Sequence, residues 1–207
     1  MKRTIVQEGA AALRAAARNV PPENIGSPEL TTLINDMRRL LANEEHGVAL
    51  AAPQVGESLR LFIVSDKALQ REAQNSPDST KALSDDSGEP APGKDTRPPA
   101  AARRPPATPY QVYINPVLLK LSRERSAKHE GCLSIRGVWG IVQRAEKATI
   151  RALDEHGREF TRGASGLLAH IFQHEMDHLE GILYTDKALE VFTEKEDAQR
   201  SADKGRA

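Results

Sequence analysis

Apolar positions follow two regular periods along this chain, separated by one long stretch that has none. Leu30, Leu33, Ile34, Met37, Leu40 and Leu41 recur at helical spacing. They follow Ser27-Pro28-Glu29, an N-cap, a proline at the first helical position and an acidic first turn, so a helix is predicted to about Asn43, ahead of Gly47. Residues 59–65, LRLFIVS, alternate and become β-branched, which predicts a strand. Residues 110–121, YQVYINPVLLKL, read as an extended segment interrupted by Pro116. A second β region runs from Trp139 to Phe160, with Asp154-Glu155-His156-Gly157 as a hairpin turn. The helical period returns near Ser165 in SGLLAHIFQHEMDHLEG, where Gly181 is placed to end the helix. Strands grouped between two helices predict an α+β fold of mixed or antiparallel sheets, not a doubly wound parallel sheet.

Residues 67–109 contain no Val, Ile, Phe, Tyr or Trp, while Pro, Ser, Asp and Ala accumulate. Such a segment buries too little apolar surface to offset its ordering entropy, and a disordered insertion is expected there. The remainder of the 207 residues suits one core, assigned to residues 1–188, followed by a charged tail over 189–207. Lys+Arg and Asp+Glu both number 29, so no global field draws the protein to DNA or to an anionic membrane. No apolar run is long enough for a secretory signal or a bilayer span, and the expected setting is cytoplasmic, with the protein a monomer.

The candidate chemistry lies in the last helix. His174-Glu175-Met176-Asp177-His178 is an H-E-x-x-H pattern, and helical geometry stacks residues four apart on one face. His174 and His178 share that sector with Leu167, Leu168, Ile171, Phe172 and Leu179, and Glu175 lies in it too. Three ionisable groups on an apolar face are costly to bury unless something pairs with them, and a divalent cation does so. The helix is therefore read as a central metal-binding element. His170 lies about 12 Å of helix from His178, too far to share one ion with it, and is read as structural. His46, His129 and His156 have no metal-type spacing.

Catalytic ions usually take three protein ligands. The sole cysteine, Cys132, cannot form an internal disulfide, and in His129-Glu130-Gly131-Cys132-Leu133-Ser134 it is the best third candidate. A further segment, residues 47–56, surrounds Gln54 with small residues. It reads either as a tight apolar connection or as backbone able to approach a ligand, with Gln54 donating to a developing oxyanion.

GVALAAPQ, EGCLS and QHEMDHLEG, in this order, resemble the three motifs of the peptide deformylase family. The similarity runs from the first helix to about Ala188, leaving out roughly residues 67–109. The resemblance implies a hydrolase that removes the formyl group from the N-terminal methionine of nascent peptides. It implies that Cys132, His174 and His178 bind one divalent ion, iron(II) by preference with nickel, cobalt or zinc as substitutes. It makes Glu175 the general acid/base, and sets Gln54 and the Leu133 amide on the oxyanion. Gly47, Val48, Ala49 and Gly131 would line the peptide path, and the protein would meet its substrates near the ribosome exit tunnel. Ala49 departs from the family's glycine. After EGCLS the family commonly continues Ile-Pro-Gly and soon an arginine, whereas this chain has Ile135-Arg136-Gly137-Val138-Trp139, so Arg136 and Trp139 bear on peptide preference beyond methionine. Asp177 is expected to pair with Arg144, holding the helix and not the ion. Two other readings remain: a zinc endopeptidase, for which no downstream third histidine is present, and a catalytically silent metal- or ribosome-binding module.

Overall fold

The computed structural model describes residues 3–68, 110–193 and 195–196. Apart from Lys67 and Ala68, the expected insertion lies outside them, as does most of the expected tail. Helix α1 spans Pro28–Ala42, with Ser27 Oγ accepting from the Leu30 N–H at 3.2 Å. Two strands follow, β1 (Ala49–Ala51) and β2 (Leu61–Ser65). The chain resumes with β3 (Tyr110–Leu121), β4 (Arg125–Cys132), β5 (Ile135–Ala145), β6 (Lys147–Leu153) and β7 (Glu159–Ser165). Helix α2 (Gly166–Leu179) and strand β8 (Ala188–Thr193) complete it.

The architecture is α+β, and every pairing within its two sheets is antiparallel. One sheet has the order β1-β2-β3-β6-β7 and the other β4-β5-β8. Strand β2 is buried at all five positions because its two faces meet different helices. Phe62 and Val64 join Tyr113, Leu168 and Phe172 on the α2 side, whereas Leu61 and Ile63 join Leu33, Met37 and Ile114 on the α1 side. That division is the period-2 geometry of a strand covered on both faces. Phe62 and Tyr113 are cross-strand partners and stack at 4.6 Å. Ser65 pairs with Tyr110, so the chain leaves β2 and enters β3 at adjacent points. The break expected at Pro116 is a bulge inside a continuous strand. Asn115 there adopts φ 49° and ties its side-chain amide to both backbone groups of Val20 at 2.8 Å.

Two expectations change. Residues 189–193, read as the start of a tail, form most of β8, which pairs with β5 and buries Phe192. Charged neighbours on both sides masked a short alternating strand. Residues 125–132, for which the sequence predicted no element, are β4. Pairing with β5 holds that strand, not an apolar face of its own.

The N-terminal arm, included in the single core by the sequence but given no role there, ties the molecule together. The Val6 N–H donates to Gln54 O, the Glu8 N–H to Ser134 O and the Ala17 N–H to Leu179 O, each at 2.8 Å. Leu13 is fully buried beside Ile135, Leu183 and Tyr184. The arm passes so close to the end of α2 that a Cβ at Gly181, which has φ +73°, would lie 2.7 Å from Arg14 O. No helix among the described residues is long and apolar enough to cross a membrane.

Candidate metal centre

Helix α2 runs beneath both sheets, and in its second half even the polar residues Gln173, Glu175, Asp177 and His178 are buried. Gln173 explains how a polar residue is accommodated there. Its side-chain amide donates to Ala145 O and Ala169 O and accepts from the Ala145 N–H, clamping the helix to the end of β5. That clamp positions the adjacent His174. The tight turn between β4 and β5 brings Cys132 up to the same helix.

Cys132, His174 and His178 converge, with one potential ligand atom from each lying within 4.8 Å of the others. Among the described residues this is the group of His, Cys, Asp and Glu able to hold an ion. A tetrahedral ion bound to sulfur and imidazole nitrogen sets S···N edges of about 3.6 Å. Cys132 Sγ lies 3.3 Å from His178 Nε2, close to such an edge, and the donors fit such an ion in type. Burial holds His178 well below its ordinary pKa, leaving a neutral ring with a lone pair to give. For His174, burial opposes protonation, but contacts with Cys132 and Glu130 outweigh it and raise the pKa, so an ion has to displace a proton there.

Glu130 is the residue the sequence reading overlooked. Its Oε1 accepts from Arg144 Nε at 2.6 Å and from His170 Nε2 at 2.9 Å. Its Oε2 accepts from Arg144 Nη2 at 3.0 Å and lies 2.7 Å from His174 Nδ1. Burial alone would raise this carboxyl, yet hydrogen bonds from His170, His174 and Arg144 hold it far below the usual carboxylate range. An ionised Glu130 fixes the Nδ1–H tautomer of His174 and turns its Nε2 to accept an ion. The signal was available, since Glu130 sits two residues before Cys132, but only the fold brings His170 and Arg144 to it.

Arg144 also donates through Nη1 to Asp177 Oδ2 at 2.7 Å, the pairing expected from sequence, and Lys187 adds a bond to Asp177 Oδ1 at 2.6 Å. His170 therefore contacts Glu130, in keeping with its structural reading. His46 and His129 line the neighbouring cleft, while His156 lies in the β6–β7 turn.

Glu175 is 3% exposed, and its Oε2 has no hydrogen-bond partner within the protein; the same holds for His178 Nδ1. Burial pushes the Glu175 carboxyl up to about 7, with His174 opposing and Glu130 adding to the shift. Gln54 sits across from it, its Oε1 accepting from the Ala51 N–H at 2.8 Å. That bond directs Nε2 to Cys132 Sγ and Ser134 Oγ, both at 3.4 Å. Leu133 lies in the two-residue turn after Cys132, and Gln7 Nε2 holds its carbonyl at 3.1 Å.

These groups open into a cleft of about 510 Å³. Gly47, Val48 and Ala49 form one wall beside Glu44–His46, and Gly131 to Trp139 form much of the other. Strand β1 is the outer strand of its sheet, so one of its backbone edges is not paired within the sheet. Gly131 lies under the Trp139 indole, where a Cβ would meet ring carbon at 2.9 Å.

Residues 2–193 match the family model described as polypeptide deformylase. The chain belongs to the peptide deformylase family. It is 34% identical to the chloroplastic peptide deformylase 1A of Solanum lycopersicum over 183 residues, covering 88% of this chain and 58% of that protein. It is 36% identical to peptide deformylase 1 of Streptomyces coelicolor, covering 89% of this chain and 72% of that protein. The Met-Ala-Ser-bound crystal structure of a class I type b peptide deformylase from Acinetobacter baumannii superimposes with a TM-score of 0.66 at 29% identity. That match covers 90% of this chain and 98% of that one. The chain thus spans less than two thirds of the length of the tomato relative. The match also takes in the N-terminal arm and β8, beyond the limits drawn from the motifs. Deformylase membership implies a catalytic metal, and the cysteine and two histidines are the donors that fit one.

Proposed function

We propose that the protein hydrolyses the N-formyl group from the N-terminal methionine of nascent polypeptides, releasing formate. The observation that carries this reading is a buried carboxyl, Glu175, whose Oε2 has no hydrogen-bond partner, beside a three-donor metal cluster that lines an open cleft. A purely structural ion needs neither the carboxylate nor the cleft.

We assign Cys132 Sγ and the Nε2 atoms of His174 and His178 as ligands of one iron(II) ion, with zinc, nickel or cobalt as substitutes. When bound, such an ion supplies Lewis acidity toward water and toward the formyl carbonyl. Glu175 takes the proton from the attacking water and holds it for the later step. Charge gathering on the formyl oxygen is met by Gln54 Nε2 and the Leu133 N–H, and donors fixed in this way contribute about 3–4 kcal/mol each. Glu175 then protonates the leaving amine as the C–N bond breaks, giving formate and a free N-terminus.

The peptide is assigned to the free edge of β1 along Gly47, Val48 and Ala49, opposite Gly131, by strand addition. Ala49 narrows that path by one methyl where the family has glycine. Substrates of this kind arise at the ribosome, so we place the protein in the cytoplasm near the exit tunnel.

Assay of formyl-Met-Ala-Ser beside an internally cleavable peptide tests the reading. Formate release without internal cleavage is expected, and internal cleavage without formate would favour the endopeptidase. Cys132→Ser should lower metal retained after dialysis against a chelator by at least roughly tenfold, read by elemental analysis. Protein purified in air should lose activity that anaerobic protein keeps, because Fe(II) and its thiolate ligand both oxidise.

A further inference from the structure

The cleft is bridged at its rim by an ion pair. Arg136 Nη2 donates to Glu44 Oε1 at 2.7 Å, joining the wall that leads into β1 to the β4–β5 hairpin. The two partners are held very differently. Glu44 is anchored: its N–H donates to Leu41 O, its carbonyl accepts from the Gly47 N–H, and its side chain is 22% exposed. A Cβ on Gly47 would come within 2.8 Å of Glu44 Cβ, so the Glu44 stem is packed against the start of the peptide path. Arg136 is 59% exposed and is the second residue of β5, beside Gly137, whose φ is +72°. Glu45 lines the same wall and pairs with no cation among the described residues.

We infer that Glu44 and Arg136 determine specificity by reading the charge of the peptide residues that follow the methionine. The inference rests on the deformylase reading above. A peptide whose formyl end lies at Glu175 has to leave the cleft past this pair, and an extended chain advances about 3.3 Å per residue. The residues that follow the methionine are therefore assigned to the rim, which lines the same cleft as Glu175. A cationic side chain there takes over the anchored Glu44, with Glu45 beside it, while the exposed Arg136 turns into water. An anionic side chain gains Arg136 but leaves Glu44 unpaired and faces Glu45. The rim thus favours cations, although a neutral chain with an ion-paired arginine in its cleft gives no such indication at first sight.

The test is the ratio of kcat/KM for formyl peptides with lysine against glutamate at the second and third positions, measured by formate release. A ratio taken within each variant cancels any general loss of activity. Exposed ion pairs are worth enough for a ratio of roughly twofold to fivefold in the unmodified protein. Arg136→Gln should raise it, Glu44→Gln should bring it close to one, and Glu44→Lys should invert it. Raising the salt concentration should shrink it in the unmodified protein. A ratio that stays constant across all three variants while formate is still released overturns the inference and leaves the deformylase reading standing. Absence of formate from every peptide overturns both.

Discussion

Glu175→Gln should lower formate release by roughly two to four orders of magnitude, the usual range for a group that moves protons in the rate-determining step. Metal content should be unchanged. The substitution keeps the size and burial of the side chain and removes its capacity to hold a proton in one step and release it in the next. The position is suited to the comparison because Glu175 Oε2 makes no hydrogen bond within the protein, so no structural contact at that atom is lost with the charge. Elemental analysis and kcat on the same sample give the answer. Parallel loss of metal and rate would mean that Glu175 is a ligand or a structural prop, and retained rate would remove it from the mechanism.

Arg144→Ala should cost about 3–5 kcal/mol of folding stability, as removal of one member of a buried ion-pair network does. Arg144 is 3% exposed and is the cation between two buried carboxylates, Glu130 on one side and Asp177 on the other. Without it Asp177 keeps Lys187, whose side chain is 42% exposed, while Glu130 keeps only the imidazoles of His170 and His174. The damage should therefore reach the metal centre, because the carboxylate that orients His174 loses its strongest partner. Chemical denaturation should show a lower midpoint, and dialysis against chelator should strip metal faster. Unchanged values for both would mean that the network does not support the helix.

The parts of the molecule that could be read from sequence are those whose information is local. Ser27 and Pro28 announce α1, and the four-residue spacing of His174 and His178 places both on one helix face whatever the rest of the chain does. Strand β2 was legible because residues 59–65 alternate and then become β-branched at Ile63 and Val64. Strand β4 was not, since Arg125–Cys132 carries no apolar stripe and owes its conformation to β5. Glu130 was hidden for a related reason. One carboxylate among polar neighbours is unremarkable until folding brings two imidazoles from α2 and a guanidinium from β5 to its two oxygens. The arm is the same case in backbone form. The carbonyls it binds, on Gln54, Ser134 and Leu179, belong to the three motif segments or their immediate neighbours, but nothing in its own composition says so.

The register of β2 against β3 decides how the long stretch between them bears on the rest of the protein. Ser65 and Tyr110 stand opposite each other, so β2 ends and β3 begins at one point of the sheet, as the strands of a simple hairpin would. Closing a flexible loop costs only about 0.6 kcal/mol more for each doubling of its length. Material can therefore be added or trimmed at that point with little thermodynamic penalty, and the sheet that carries the peptide path is free to keep its register whatever is written into the connection.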